Sequence, residues 1–139
     1  MHKIEYIILH HSLTKDSKTV SWSAIRRYHV HQLNWSAIGY HYGIELVNDH
    51  YEILVGRMMN IIGAHTYGYN DRSLGICFVG NFDIERPEDS MLMVGKNLVR
   101  SLLEVFNLEV SDVKGHRYFN TNKSCPGLKF PLEEFKKTL

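Results

Sequence analysis

Three residues of the sequence have side chains suited to holding a single zinc ion. They are His10, His116 and Cys125. Two imidazoles and one thiolate supply three protein ligands, which leaves the fourth tetrahedral position open to water or to a substrate oxygen. Structural zinc sites use four protein ligands, so this composition indicates catalysis. Tyr40 and Lys123 lie close to these residues in the sequence or in the expected fold and complete the candidate site.

A zinc ion with these ligands suits the hydrolysis of an amide. It keeps a net positive charge and lowers the pKa of bound water toward about 7. Attack on the amide carbonyl builds an oxyanion, which the charge of Lys123 and a hydrogen bond from Tyr40 would stabilise. The sequence has no HExxH motif to supply a glutamate for the leaving amine. Tyr40, Lys123 and a water relay therefore all stay open as the proton donor.

Composition and charge favour a single soluble domain. The chain has 139 residues and a net charge of +1, so we expect one domain over residues 1–139, no nucleic-acid partner and no membrane insertion. The N-terminus lacks a secretory apolar segment, so we expect synthesis in the cytoplasm and export by another route. Cys77 lies in an apolar run and Cys125 in a polar loop, so both are expected to be reduced, with Cys77 a small core residue.

The first half of the chain predicts a strand, a helix and a hairpin. The run 4–10 is β-rich and would deliver His10 or His11 at its C-terminal end. A polar loop through residues 15–17 follows, and a serine such as Ser21 would cap a helix from Trp22 to about Gln32. Residues 41–56 alternate around Asn48 and Asp49, the pattern of a β-hairpin with a tight turn.

The second half predicts two more strands and two helices. After a loop over 57–72, residues 73–79 form an apolar strand, and Pro87 opens a long helix. That helix is expected to bury a stripe of Met91, Val94, Leu98, Leu102 and Val105. A short strand over 113–116 and a final helix from Pro131 complete the order. This order predicts an α/β fold, with a central mixed β-sheet flanked by helices.

Four stretches of the chain resemble the zinc-dependent N-acetylmuramoyl-L-alanine amidases of the type 2 amidase and peptidoglycan-recognition-protein superfamily. They read ILHHS, IGYHYGIE, GAHTYGYNDRSLGICFVGNFD and GHRYFNTNKSCPG, and they span nearly the whole chain. The likeness is greatest to small phage lysozyme-type endolysins. It implies cleavage of the amide between the lactyl group of N-acetylmuramic acid and the L-alanine of the stem peptide. Peptidoglycan and muropeptides are then the partners, with phage RNA polymerase as a further possible one.

The resemblance also assigns roles to single residues. It gives His10, His116 and Cys125 as zinc ligands and leaves His11 without that role. Tyr40 matches the active-site tyrosine of the family, and Lys123 the catalytic lysine of its phage members. The segment between the second and third ligands is one residue longer than is usual in the family.

Other residues have open alternatives. His65, Asn70 and Arg72 are candidates for contacts with the substrate, but His65 would equally cap a turn and Asn70 is a turn former in any case. Four further histidines are expected on the surface or on helix faces, without a functional role: His2, His29, His31 and His50. Two rival functions stay open: a muropeptide-binding module without catalysis, and a metal-free cysteine hydrolase in which Cys125 attacks with His116 as base. Non-catalytic members of the superfamily typically lack the cysteine ligand.

Overall fold

A five-stranded mixed sheet forms the centre of the protein. The computed structural model describes residues 2–13 and 21–139, and the loop predicted over residues 15–17 lies outside them. The strands are β1 (Tyr6–His11), β2 (Tyr42–Val47), β3 (His50–Val55), β4 (Ser73–Phe78) and β5 (Val113–Gly115). Their order across the sheet is β3-β2-β4-β1-β5, and β2–β3 is the antiparallel pair. The other neighbours are parallel. The predicted fold class is confirmed.

The described α-helices are α1 (Trp22–Arg27), α2 (Asp89–Phe106), α3 (His116–Phe119) and α4 (Leu132–Lys137). Three of them, α1, α2 and α4, lie where the sequence predicts them, with small shifts at their ends, whereas α3 begins at His116, which was expected to end a strand. The Ser21 hydroxyl accepts a hydrogen bond from the backbone N–H of Ala24, so the predicted cap is confirmed. A π-helical segment, Tyr28–Gln32, extends α1 to the predicted end. In the described part of the chain, no helix combines the length and apolarity that crossing a membrane requires.

The turn of the predicted hairpin is confirmed as well. Asn48 adopts a positive φ of 59°, a conformation that asparagine tolerates better than most residues. The following strand β3 pairs with β2 from Val47 opposite His50 to Tyr42 opposite Val55. This hairpin extends the sheet beyond β4 on the side away from β1.

Helix α2 covers one face of the sheet, although its buried stripe differs from the predicted one. Its buried residues are Met91, Leu92, Gly95, Val99 and Leu102. Val105 was expected in the stripe but is 67% exposed. The buried stripe is centred on Gly95, where a Cβ atom would lie 2.6 Å from the Phe78 ring. The aromatic ring occupies the space that a larger helical residue would fill, and this sets how the helix is rotated on the sheet.

The opposite face of β4 is lined by small side chains. Leu74, Ile76 and Phe78 join the core under α2, and the alternate positions Ser73, Gly75 and Cys77 face the other way. Cys77 is fully buried in a second, smaller cluster, in agreement with its predicted role as a small core residue. Because these positions project little, other side chains can lie directly over the strand.

Candidate metal centre

The two histidines and the cysteine of the predicted zinc site meet at one edge of the sheet. His10 is the second-to-last residue of β1, His116 directly follows β5, and Cys125 lies in the loop beyond α3. β1 and β5 are parallel neighbours, so their carboxyl ends lie side by side. The ligand atoms of the three residues all lie within 4.8 Å of one another. The sequence pattern therefore becomes a real cluster in space.

The spacing and protonation of this cluster fit zinc. Cys125 Sγ lies 3.6 Å from His10 Nδ1, and tetrahedral zinc with ordinary bond lengths holds sulfur and nitrogen ligands about 3.6 Å apart. Burial, with the neighbouring His65 and His116, lowers the pKa of His10 well below its usual value. Burial and Lys123 lower that of His116. Both rings are neutral near pH 7, so each has a nitrogen lone pair for a metal.

The Cys125 thiol, unlike the two histidines, must lose a proton before it can bind a metal. Burial raises its pKa to about 12, so it stays protonated at neutral pH unless a cation binds beside it. A coordinated metal displaces such a proton. A cysteine nucleophile needs a lowered pKa, so the surroundings of Cys125 favour a metal ligand over the nucleophile of a metal-free hydrolase.

Asp83 holds the loop that carries Cys125. Its carboxylate accepts hydrogen bonds from the Ser124 hydroxyl at 2.9 Å and from the Leu128 backbone N–H at 2.9 Å. Burial alone would raise the pKa of Asp83, but these hydrogen bonds lower it overall, so the group is ionised. The His11 backbone N–H also donates to Cys125 Sγ at 3.3 Å. The backbone of β1 therefore also holds the Cys125 thiol in place.

Arg117 holds the same loop from its other side. Its backbone N–H donates to the Cys125 carbonyl at 2.9 Å. Its guanidinium donates to the carbonyls of Ser124 and Gly127 at 3.2 and 3.0 Å. The intervening segment, one residue longer than expected for the family, turns back where the Lys123 N–H donates to the Asn120 carbonyl at 3.0 Å. Lys123 therefore stays at the rim of the site despite the extra residue.

Tyr40 packs beside the first ligand. Its ring centroid lies 5.2 Å from that of His10. Burial raises the pKa of Tyr40 well above its usual value, with the nearby Cys77 and Cys125 adding to the shift. The phenol is therefore neutral at physiological pH and carries a proton that it can share in a hydrogen bond.

Two adjoining cavities form a groove over the cluster of His10, His116 and Cys125. The first, of about 560 Å³, is lined by His10, His11, Ser12, Leu13, Tyr40, His65, His116, Lys123, Ser124 and Cys125. The second, of about 750 Å³, is lined by His65, Thr66, Tyr67, His116, Phe119, Asn120 and Lys123. They share His65, His116 and Lys123, so the groove is continuous. Among its described lining residues there is no carboxylate, and Lys123 supplies positive charge.

The predicted substrate-contact residues lie in different places. His65 lines both cavities. Asn70 lines neither, and its side-chain oxygen accepts 2.8 Å hydrogen bonds from the backbone N–H groups of His65 and the next residue. Arg72 lines neither cavity either, because its guanidinium lies over the Tyr69 ring and donates to the Gly68 carbonyl. Asn70 is thus the turn former, and the structure does not bring Arg72 to the groove.

Several residues of this region are not identified by their sequence patterns. Asp83 acts through hydrogen bonds to a loop distant in the chain, and Arg117 through hydrogen bonds to backbone carbonyls 7 and 10 residues further on. The sequence gives no signal for either set of contacts. His29, one of the histidines without an expected role, is 9% exposed and accepts from the Gly39 N–H. His41 is fully buried and accepts from the Gly75 N–H. The small residues at alternate positions of β4 were a usable signal for a groove on that face.

Comparisons with known proteins agree with this architecture. A family model described as N-acetylmuramoyl-L-alanine amidase (Amidase_2) matches residues 1–128. A peptidoglycan recognition protein of Trichoplusia ni is 31% identical over 132 residues, which are 91% of this chain and 70% of that protein. The structure of the N-acetylmuramoyl-L-alanine amidase LysC from Clostridium intestinale URNW superposes with a TM-score of 0.85 and 31% identity, covering 99% of this chain and 85% of LysC.

A third relative was solved with a ligand. The Y78F mutant of Drosophila PGRP-LB, in complex with tracheal cytotoxin, superposes with a TM-score of 0.78 and 29% identity over 96% of this chain and 80% of that one. The chain spans 54% of the full length of Drosophila melanogaster PGRP-LB. These relatives give no support to the expectation that the chain binds a phage RNA polymerase.

Proposed function

This chain belongs to the Amidase_2 family of N-acetylmuramoyl-L-alanine amidases, and we propose that it is a zinc-dependent enzyme of peptidoglycan breakdown. The bond cleaved is the amide between the lactyl group of N-acetylmuramic acid and the L-alanine of the stem peptide. The observation that carries this proposal is the cluster of His10, His116 and Cys125 at the floor of an open groove. A site with three protein ligands beside a cavity has room for a substrate oxygen.

The protein groups around the cluster divide the work of amide hydrolysis. Zinc held by His10, His116 and Cys125 would supply a Lewis acid and lower the pKa of a water molecule. Tyr40 is neutral, because burial raises its pKa, and its phenol is a hydrogen-bond donor for the oxygen of the scissile carbonyl. Charge develops on that oxygen in the transition state, so a fixed donor there lowers the barrier.

Lys123 is the cation of the proposed active site. It lines both parts of the groove and is exposed at its rim, where a bound substrate would meet its ammonium group. A positive charge beside the developing oxyanion has the same effect as a hydrogen-bond donor. Tyr40, Lys123 or a water relay would return a proton to the leaving amine.

The relatives support the substrate class and the setting of the proposed reaction. The PGRP-LB structure contains tracheal cytotoxin, and a related PGRP-LE structure contains the same molecule, described as monomeric diaminopimelic acid-type peptidoglycan. LysCS of Clostridium intestinale is described as an endolysin. These likenesses support the proposal that the chain is a phage or prophage endolysin, which acts on the cell wall.

A muropeptide-binding module without catalysis is the second candidate, since peptidoglycan-recognition proteins are among the relatives. Such a module needs the groove but not the metal. The chain has all three candidate ligands, and Asp83 and Arg117 hold the loop that carries Cys125. These features favour the enzyme over the binding module.

The decisive experiment follows new α-amino groups released from purified peptidoglycan. The protein is assayed as purified, after chelation, and after zinc is restored, and the released N-termini are identified. We expect N-terminal alanine to appear only when zinc is present. Cys125→Ser should lose bound zinc and alanine release together, because a serine hydroxyl is a poor zinc ligand.

Cys77→Ser is the matched control, since it removes the other thiol but no ligand, and it should keep its zinc. Reducing sugar ends in place of alanine would indicate a glycosidase. Retained binding without cleavage would support the recognition module, and full activity of Cys125→Ser would refute catalysis through this site.

A further inference from the structure

We propose that His65 is a positioning residue that fixes the tautomer and orientation of the metal ligand His10. The inference rests on the proposed function only in taking His10 as a ligand. His10 Nε2 lies 2.9 Å from His65 Nδ1, and the other nitrogen, His10 Nδ1, faces Cys125 Sγ at 3.6 Å. One edge of the His10 ring is therefore directed to the metal cluster and the other to His65.

A chain of hydrogen bonds determines where the protons lie. The Ser73 hydroxyl donates to the Tyr69 carbonyl at 2.7 Å. Its oxygen then accepts from His65 Nε2, which lies 3.4 Å away. With its proton on Nε2, His65 has a lone pair on Nδ1, which accepts from His10 Nε2. His10 Nδ1 is then left unprotonated, as a metal ligand must be.

The His65 ring is built into its place. A Cβ atom on Gly75 would lie 2.6 Å from ring atoms of His65, so the imidazole rests directly on the bare backbone of β4. It meets the His10 ring edge to face, at 5.0 Å between centroids and 87° between planes. Asn70 fixes its backbone through the hydrogen bond to the His65 N–H. The acceptor for His10 is thus held before any metal arrives.

Thr66 is a further polar neighbour of both rings. Its hydroxyl lies 3.0 Å from His65 Nδ1 and 3.3 Å from His10 Nε2. The His65 contact with His10 is the shorter one, so Thr66 supports the pair and His65 is its main acceptor. A Thr66→Val variant should accordingly weaken zinc binding less than the loss of His65 does.

This arrangement predicts an effect on metal affinity that depends on which ring nitrogen is replaced. Partners that orient a metal-bound histidine typically contribute 10- to 100-fold to metal affinity. Asparagine places its side-chain oxygen where Nδ1 lies and so keeps an acceptor for His10. Glutamine reaches the position of Nε2 and keeps only the contact to Ser73. Leucine fills the space and keeps neither.

The test measures the zinc dissociation constant of the folded protein by competition with a chromophoric chelator, without substrate. We expect His65→Leu and His65→Gln to bind zinc about 10- to 100-fold more weakly than the wild type, and His65→Asn to stay within a few-fold of it. His50→Leu, at an exposed histidine far from the cluster, is the control and should leave the affinity unchanged.

Wild-type affinity in His65→Gln, or equal losses in the asparagine and glutamine variants, would overturn the proposal. If His65→Leu does not fold, the comparison of asparagine with glutamine carries the same decision. Because no substrate is present, the result stands apart from the amidase assay. A chain that binds zinc but leaves peptidoglycan intact would refute the proposed function and still decide the role of His65.

Discussion

The two faces of the sheet are stabilised by different means. Under α2, β4 contributes Leu74, Ile76 and Phe78 to a large apolar core. On the other face, the small residues of the same strand leave room for His65 and Tyr40, and both ring nitrogens of His65 are hydrogen-bonded. The apolar face depends on volume and close packing, whereas the groove face depends on directed hydrogen bonds. One strand therefore serves stability and chemistry at alternate residues.

This difference means that substitutions on the two faces should have separable effects. A change under α2 should alter the free energy of unfolding and leave the chemistry of each folded molecule intact. A change in the groove should alter metal binding or turnover at nearly unchanged stability. Each prediction below pairs one change with a control that tests this separation.

The largest effect is expected for Phe78→Ala on the apolar face. Phe78 is fully buried, and its ring packs edge to face on Phe130 at 4.9 Å. Removing a buried phenylalanine ring typically costs about 3–5 kcal/mol. Urea unfolding should show this loss, while the zinc content per folded chain stays the same. The control is Val105→Ala on α2, which should change stability little because that side chain is exposed. Equal losses in both variants would contradict the packing described for this face.

Tyr40→Phe is the corresponding test on the groove face. It keeps the ring that packs on His10 and removes the hydroxyl. We expect zinc content to be retained and turnover to fall about 10²- to 10³-fold, the usual effect of losing one donor to an oxyanion. The control is Tyr42→Phe, because Tyr42 packs against the core on the α2 side, and its turnover should be normal. Unchanged turnover in Tyr40→Phe would remove Tyr40 from the mechanism.

A smaller effect is expected for Asp83→Asn. The carboxylate accepts two hydrogen bonds around Cys125, and an asparagine side chain offers one acceptor and one donor in their place. Both contacts can persist, because the new amide can donate to the Ser124 hydroxyl, but the negative charge that strengthens them is lost. Zinc affinity should therefore fall roughly 10-fold, at the lower end of the usual range for such outer partners. Chelator competition measures this change. Asp89→Asn, at an exposed carboxylate paired with Arg86, should match the wild type. If both variants bound zinc as tightly as the wild type, Asp83 would have no role in holding the Cys125 loop.

The elements of the fold follow from local patterns in the sequence. The hairpin was predictable because residues 41–56 alternate around an asparagine that accepts a positive φ. The start of α1 was predictable because the Ser21 cap is a contact within one turn. The rotation of α2 about its axis was not predictable, because it depends on the contact of Gly95 with the ring of Phe78. That ring belongs to a strand distant in sequence.

The residues of the candidate site fall into the same two groups, those that the sequence indicates and those that only the fold identifies. Its ligand residues stand out because few residue types bind zinc, and the family resemblance indicates which histidines take part. The supporting residues do not stand out, because Asp83, Arg117 and His65 act through partners that only the fold brings near. Asn70 and Arg72 have side chains that suit a substrate, yet both are used to shape their own loop. Residue type alone did not distinguish those two uses.

The order in which the ligands occur along the chain affects when activity can arise during synthesis. A ribosome adds Cys125 to the chain 115 residues after His10. β1 must pair with β5 before His116 reaches the cluster, so a nascent chain that still lacks β5 has one ligand in place. On the proposed function, incomplete translation products are inert toward peptidoglycan.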